Sequence, residues 1–178
     1  MSIKITDGLT LPEVLDPNTV YVVYVDDEVL LGESYTRLLQ VKLKSAGIVD
    51  ELAARKMNIE VVSFHYSVDA LEMLKDKNLH RVVILSDNNM PEINGTELIS
   101  RLREVDSEVP VALLSALPRD AEAQLPDNVK SARVFSKPNS DASALNQYLI
   151  PNILAAAEKP ALPAVQQQAG AAYDLARK

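Results

Sequence analysis

Cysteine is absent from the 178-residue chain. That excludes disulfides and thiolate metal sites and points to a soluble intracellular protein, placed here in the cytoplasm. Histidine is nearly absent: His65 and His80 are the only two, each flanking a strand or helix, so neither a histidine phosphodonor nor an imidazole metal site is suggested. No apolar run approaches the roughly 20 residues that cross a bilayer. The start, MSIKITDGLTLPEV, lacks the basic residues and continuous apolar core of a secretory signal. Positive charge is also short, with 18 Lys and Arg against 25 Asp and Glu and a net charge of −7. This opposes nonspecific nucleic-acid binding, which needs basic surface to meet phosphates. Internal repeats are missing.

What is present suits one compact domain with extra chain at its ends, 47% of the residues being hydrophobic. Four apolar residues from Val82 to Leu85, bounded by polar ones, read as a strand buried on both faces, the pattern of an inner strand in a parallel sheet. Val20–Val25 repeats that pattern, and Ile59–Phe64, Val109–Ser115 and Ala132–Ser136 supply three further strands. Helical spacing recurs from Val29 to Ala46, with Gly47 as a stop. Residues 48–58 add a charged, partly helical piece. Ser67 is expected to cap a helix running to about Lys75, and Thr96–Glu104 forms another. Pro118 and Pro126 keep any helix between them short. Ser140 is expected to cap a last helix, which Pro151 would kink or divide. Asn94-Gly95 reads as a tight turn.

Five strands alternating with helices predict an α/β fold: a flavodoxin-like, doubly wound, five-stranded parallel sheet with helices on both faces and right-handed crossovers. Residues 1–19 read as an N-terminal arm packed on the domain surface, residues 20–158 as the domain. Residues 159–178, with Pro160, Pro163 and three consecutive glutamines, read as a linker or tail with a weak helical pattern.

Strand ends carry the chemistry. In a parallel sheet they share one edge, where ligands of open α/β folds bind. The first of the five strands delivers Asp26 and Asp27 there, the third Asp87, the fourth Ser115 and the fifth Lys137. Three carboxylates close together repel unless a cation holds them. Oxygen ligands without Cys or His suit Mg²⁺, or Mn²⁺ as the alternative. A lysine at the same edge complements phosphate oxygens, and a serine hydroxyl is a compact donor to one. An aspartate nucleophile, a divalent cation and a lysine together make an in-line phosphoryl acceptor.

The acidic pair in VYVVYVDDE, the block SDNNMPEINGTEL, and the LLSA and SKP segments, in that order and each after a strand, resemble the response-regulator receiver domain of two-component signalling. The resemblance spans residues 20 to about 158. It implies a phosphorelay switch, not a metabolic enzyme, that assists only its own phosphorylation and dephosphorylation. Asp87 would accept a phosphoryl group from a histidine kinase or phosphotransfer protein. Asp26, Asp27, Asp87 and the Asn89 backbone carbonyl would hold Mg²⁺. Lys137 would contact the phosphoryl group, Ser115 would turn towards it, and small Ala116 would leave room. Signalling would run through protein contacts, by a stand-alone regulator or through an output module following the linker, with a homodimer also allowed and no membrane or nucleic-acid partner within the chain.

Three features depart from the family pattern, one being the fourth helix squeezed between Pro118 and Pro126. Val134 stands where the family usually places a rotating Tyr or Phe, three residues before the lysine, and the 48–58 insertion is longer than typical. Two other readings compete: a receiver-like interaction module that is never phosphorylated, and a Mg²⁺-dependent phosphohydrolase with an aspartyl-phosphate intermediate. The latter's usual Asp-x-Asp is replaced here by Asp26-Asp27-Glu28.

Overall fold

The structure, a computed structural model, describes residues 3–137 and 142–160. The expected Ser140 cap and the 161–178 tail lie outside the described residues. Strands β1 (Lys4–Asp7), β2 (Thr19–Val25), β3 (Asn58–Phe64), β4 (Val82–Asp87), β5 (Val111–Ser115) and β6 (Arg133–Ser136) form one parallel sheet in the order β1-β3-β2-β4-β5-β6. Helices α1 (Val29–Ser45), α2 (Ile48–Ala54), α3 (Ser67–Leu74), α4 (Gly95–Val105), α5 (Pro118–Ala123) and α6 (Ala142–Glu158) connect and cover it. This is the doubly wound parallel fold expected, with six strands among the described residues instead of five. No helix among them is long and apolar enough to cross a membrane.

Strand β2 shows why the sheet is inner and two-faced. All seven of its residues are buried. Tyr21, Val23 and Val25 point into a core shared with α3 and α4, through Ala70, Leu74, Leu98, Ile99 and Leu102. Val20, Val22 and Tyr24 point into a second core with α1, α2 and α6, through Leu39, Leu43, Leu52, Leu145 and Ile153. Period-two alternation therefore places successive side chains in different apolar layers, and a continuous apolar strand results.

The extra strand comes from the arm. Lys4–Asp7 pair in parallel with Glu60–Ser63 at the edge that β3 would otherwise expose. Ile3 and Leu11 are buried, whereas Ile5, Leu9 and Val14 stay exposed. Gly8 lies so close to the Phe64 ring that a Cβ there would collide with it. The arm is thus fastened to the sheet, and with only four residues and one buried side chain its alternation was too short to read as a strand.

Three local expectations are corrected. Tyr66, not Ser67, is the N-cap of α3, and the Ser67 hydroxyl faces the Pro91 carbonyl at 3.5 Å. Asn94-Gly95 is no free turn: the Asn94 side chain caps α4 by accepting from the Glu97 amide, 2.8 Å, and Gly95 is its first residue. The left-handed residue of that loop is Glu92, φ +66°. Helix α6 is not divided by Pro151, which is exposed inside a continuous helix. There the Gln147 carbonyl that Pro151 cannot serve can be hydrated, while the Asn152 side-chain Nδ2 donates to Tyr148 O at 2.7 Å.

Candidate phosphoryl-acceptor site

The chain leaves β2 for β3 on one side and crosses to β4 on the other. The crevice between β2 and β4 is the switch point of the sheet. Asp26 follows β2 and Asp87 ends β4, so adjacent strands bring together residues that are far apart in sequence. Backbone bonds fix the loops there: Asp26 N donates to Phe64 O, 3.1 Å; Asn88 N to Leu114 O, 2.8 Å; Lys137 N to Ser115 O, 2.8 Å. The strand ends thus converge on one rigid edge.

Asp26, Asp27 and Asp87 can each present one carboxylate oxygen within 4.8 Å of the others. Asp26 is fully buried, Asp87 is 4% exposed and Asp27 is half-buried. The charge is offset by Lys137, whose Nζ lies 2.9 Å from Asp26 Oδ2, 3.0 Å from Asp87 Oδ2 and 3.8 Å from Glu28 Oε1. Burial raises the Asp87 carboxyl above its ordinary value, opposed by Lys137 and by the Asn89 amide, with the neighbouring Asp26 charge adding to the rise. Burial alone would lower the Lys137 ammonium, but hydrogen bonds to Asp26 and Asp87 outweigh it and raise the group. One cation among several carboxylates is an electrostatic deficit that a second, divalent cation would fill. The donors present, all hard oxygens, fit Mg²⁺.

The loop after β4 is held as firmly. Asn88 Oδ1 accepts from Thr96 N at 3.2 Å and Thr96 Oγ1 at 2.7 Å, and Gly95 N donates to Asn88 O, 3.2 Å. Met90 and Ile93 are buried as apolar anchors. A Cβ on Gly95 would run into the Asp87 carbonyl oxygen and stand 2.9 Å from Ser86 Oγ. Glycine is needed here for close approach, not for an unusual dihedral. Asn89 is exposed. Ser115 is buried with its hydroxyl accepting from Leu117 N at 3.1 Å, so its oxygen is engaged by its own loop. Exposed Leu117 lies just beyond.

All the residues singled out from the sequence therefore lie at this edge, with Asp26, Asp27 and Asp87 in mutual reach and Lys137 bonded to Asp26 and Asp87. Sequence reasoning missed Tyr24, whose hydroxyl donates to Asp26 Oδ2 at 2.5 Å. It is only 1% exposed, and burial, followed by Asp26, drives its phenol far above the ordinary range. The signal was available: Tyr24 stands two residues before Asp26, and extended backbone continuing just past β2 puts both on one face. Gly95 and Asn88 were likewise given no role. Val134 packs against the core on the sheet face that α3 and α4 also cover, while Phe135 on the opposite face meets Tyr148, ring centroids 5.8 Å apart.

The response regulator receiver domain family matches residues 22–149. Among solved structures, the Francisella response regulator 1452 receiver domain is similar at 22% identity and TM-score 0.51, covering 78% of this chain and 97% of that one. The receiver domain of hybrid histidine kinase CckA gives 18% and 0.52, covering 75% and 98%. The response regulator TrrA of Thermotoga maritima, in complex with Mg²⁺–BeF, gives 18% and 0.53, covering 75% and 98%. No curated protein matches the sequence.

Proposed function

Because the chain belongs to the response regulator receiver domain family, we propose that it is a phosphoacceptor switch taking a phosphoryl group onto Asp87. Receiver domains are signalling switches that interact with histidine kinases or phosphotransfer proteins, and one of these would be the donor here. The observation carrying the reading is Lys137, bonded simultaneously to Asp26 and Asp87 at 2.9 and 3.0 Å beside a third carboxylate.

Asp26, Asp27 and Asp87, with the Asn89 backbone carbonyl, would hold Mg²⁺. When bound, the ion neutralises charge on the phosphoryl oxygens. An Asp87 carboxylate oxygen attacks phosphorus as the donor's leaving atom departs, giving an acyl phosphate. The Lys137 ammonium, already at the Asp87 oxygen, can follow the new charge, because its point charge on a flexible stem needs no fixed fork geometry. Ser115 must give up its bond from Leu117 N to turn and donate to a phosphoryl oxygen. A phosphoryl group adds nearly two negative charges and offers about 1–3 new hydrogen bonds, enough to draw that hydroxyl and its loop inward. Output would pass through protein contacts, to a separate partner, a further module or a second copy. With Val134 in the usual aromatic position, the readout would not depend on a rotating ring there.

Incubation with acetyl phosphate and Mg²⁺ followed by intact-mass measurement tests this reading. One added phosphoryl group is expected on the wild type, none without Mg²⁺ and none on Asp87→Ala. An unmodified wild type would favour a constitutive interaction module. Steady turnover of phosphate esters would favour a phosphohydrolase.

A further inference from the structure

Tyr24 is a buried polar side chain at this edge that phosphoryl transfer as set out above does not use. Its ring is clamped against Tyr35 of α1, centroids 4.7 Å apart and planes 14° from parallel. Helix α1 comes close at Gly32, where even a Cβ would stand 3.7 Å from the ring. So held, the hydroxyl reaches along the strand to Asp26 Oδ2 at 2.5 Å. A buried tyrosine hydroxyl needs some acceptor. This one takes a carboxylate that is itself fully buried and one of the three acids close enough to share a cation.

The rest of the Asp26 carboxylate is also committed. Oδ2 additionally meets Lys137 Nζ at 2.9 Å, and Oδ1 accepts from Glu28 N at 3.0 Å. The two protein donors, Tyr24 and the Glu28 amide, grip opposite oxygens and fix the rotation of the carboxylate. Lys137 is the interchangeable contact, since it can move to a phosphoryl oxygen. We infer that Tyr24 is a positioning residue for the divalent-cation site, orienting Asp26 through a hydrogen bond from behind the acidic cluster. The inference rests on the Mg²⁺ reading above. Hydrogen bonds to metal-ligating groups orient them and raise affinity, and their loss typically costs about 10–100-fold in binding. The hydroxyl touches neither the acceptor oxygen of Asp87 nor the incoming group, so its influence falls on cation affinity and not on the transfer step once the site is full.

Calorimetric titration of the full chain with MgCl₂ tests this, comparing wild type, Tyr24→Phe and Tyr148→Phe, with circular dichroism confirming the fold. Tyr148 is a control for hydroxyl loss, because its hydroxyl donates to the Val111 carbonyl instead, 2.7 Å. The Mg²⁺ Kd of Tyr24→Phe should rise about tenfold, with Tyr148→Phe unchanged. At saturating Mg²⁺, Tyr24→Phe should take phosphate from acetyl phosphate at the wild-type rate. A Kd for Tyr24→Phe equal to or below that of the wild type overturns the inference. So does a rate deficit that saturating Mg²⁺ does not remove. In the wild type, the ¹³C-labelled Tyr24 ring should shift during the Mg²⁺ titration with the same Kd. A ring that does not respond contradicts the inference without any substitution. A wild type that binds no Mg²⁺ overturns the site reading as well, whereas normal wild-type binding with an unaffected Tyr24→Phe overturns this inference alone.

Discussion

Two cations sit at opposite edges of the same sheet, and their surroundings differ completely. Lys137, at the carboxyl edge, is shared among Asp26, Asp87 and Glu28. Arg81, just before β4 at the amino edge, donates to the Pro17 carbonyl, to Lys159 O at 2.5 Å and to Met57 Sδ at 3.1 Å. Its hydrogen-bond acceptors are neutral, and burial lowers its pKa, opposed by the nearby Asp16 charge. With His80, which contacts Pro160 O at 3.1 Å, Arg81 fastens the segment before β2 and the residues just after α6 to the amino edge of the sheet. Lys77 adds a bond to Pro12 O, 2.8 Å. A charge ringed by carbonyls is a structural clasp. A charge shared among several carboxylates instead holds those acids together at one edge.

The largest effect that would sharpen this contrast comes from exchanging each cation for methionine. Lys137→Met should slow phosphoryl uptake from acetyl phosphate by about 10²-fold, the scale for losing one preorganised charge contact in a transition state. Arg81→Met should leave that rate unchanged and lower unfolding free energy by about 1–3 kcal/mol, because buried acceptors lose their donor. Rates by intact mass and urea unfolding on both variants check the pair. A slowed Arg81→Met, or a Lys137→Met as fast as wild type, would break the comparison.

Smaller effects separate packing from chemistry at the carboxyl edge itself. Gly95→Ala should cost about 1–3 kcal/mol through overpacking against the Asp87 carbonyl. Asn94→Ala should cost about 1 kcal/mol by removing the cap of α4. Urea unfolding reads both.

The pH dependence gives a third contrast, in Mg²⁺-free buffer. The raised Asp87 carboxyl contributes stability that is present below its ordinary 3.8 and is lost as pH rises through the raised value, so its ionisation opposes folding at neutral pH. Asp87→Asn should therefore melt higher than wild type at pH 7. The raised Lys137 contributes stability present below 10.5 and lost as pH climbs through its folded value, so wild type should weaken in that alkaline range and Lys137→Met should not. Melting curves across pH decide both.

How far the sequence could be read follows the same division. The inner strands were legible because double burial writes a continuous apolar run, as in Val82–Leu85. Asp26, Asp27, Asp87, Ser115 and Lys137 were legible because each ends or follows a strand of one parallel sheet. Strand β1 was not, since Lys4 and Asp7 are charged and only Thr6 of its four residues is buried. Gly95 looked like half of a turn because its reason for being glycine is a carbonyl eight residues earlier. Tyr24 looked like core because it is core, and its second duty depends on a hydroxyl reaching a neighbour along the strand. Of the two outcomes expected at Pro151, division of the helix does not occur: an exposed proline can lie within a continuous helix.

The most direct test is to locate the phosphoryl group. Borohydride reduces an aspartyl phosphate to homoserine, and peptide mass spectrometry then reads its position. After acetyl phosphate and Mg²⁺, homoserine is expected at position 87 and nowhere else. Homoserine at another aspartate, or none from a folded, Mg²⁺-loaded wild type, would contradict the assignment of Asp87 as the acceptor.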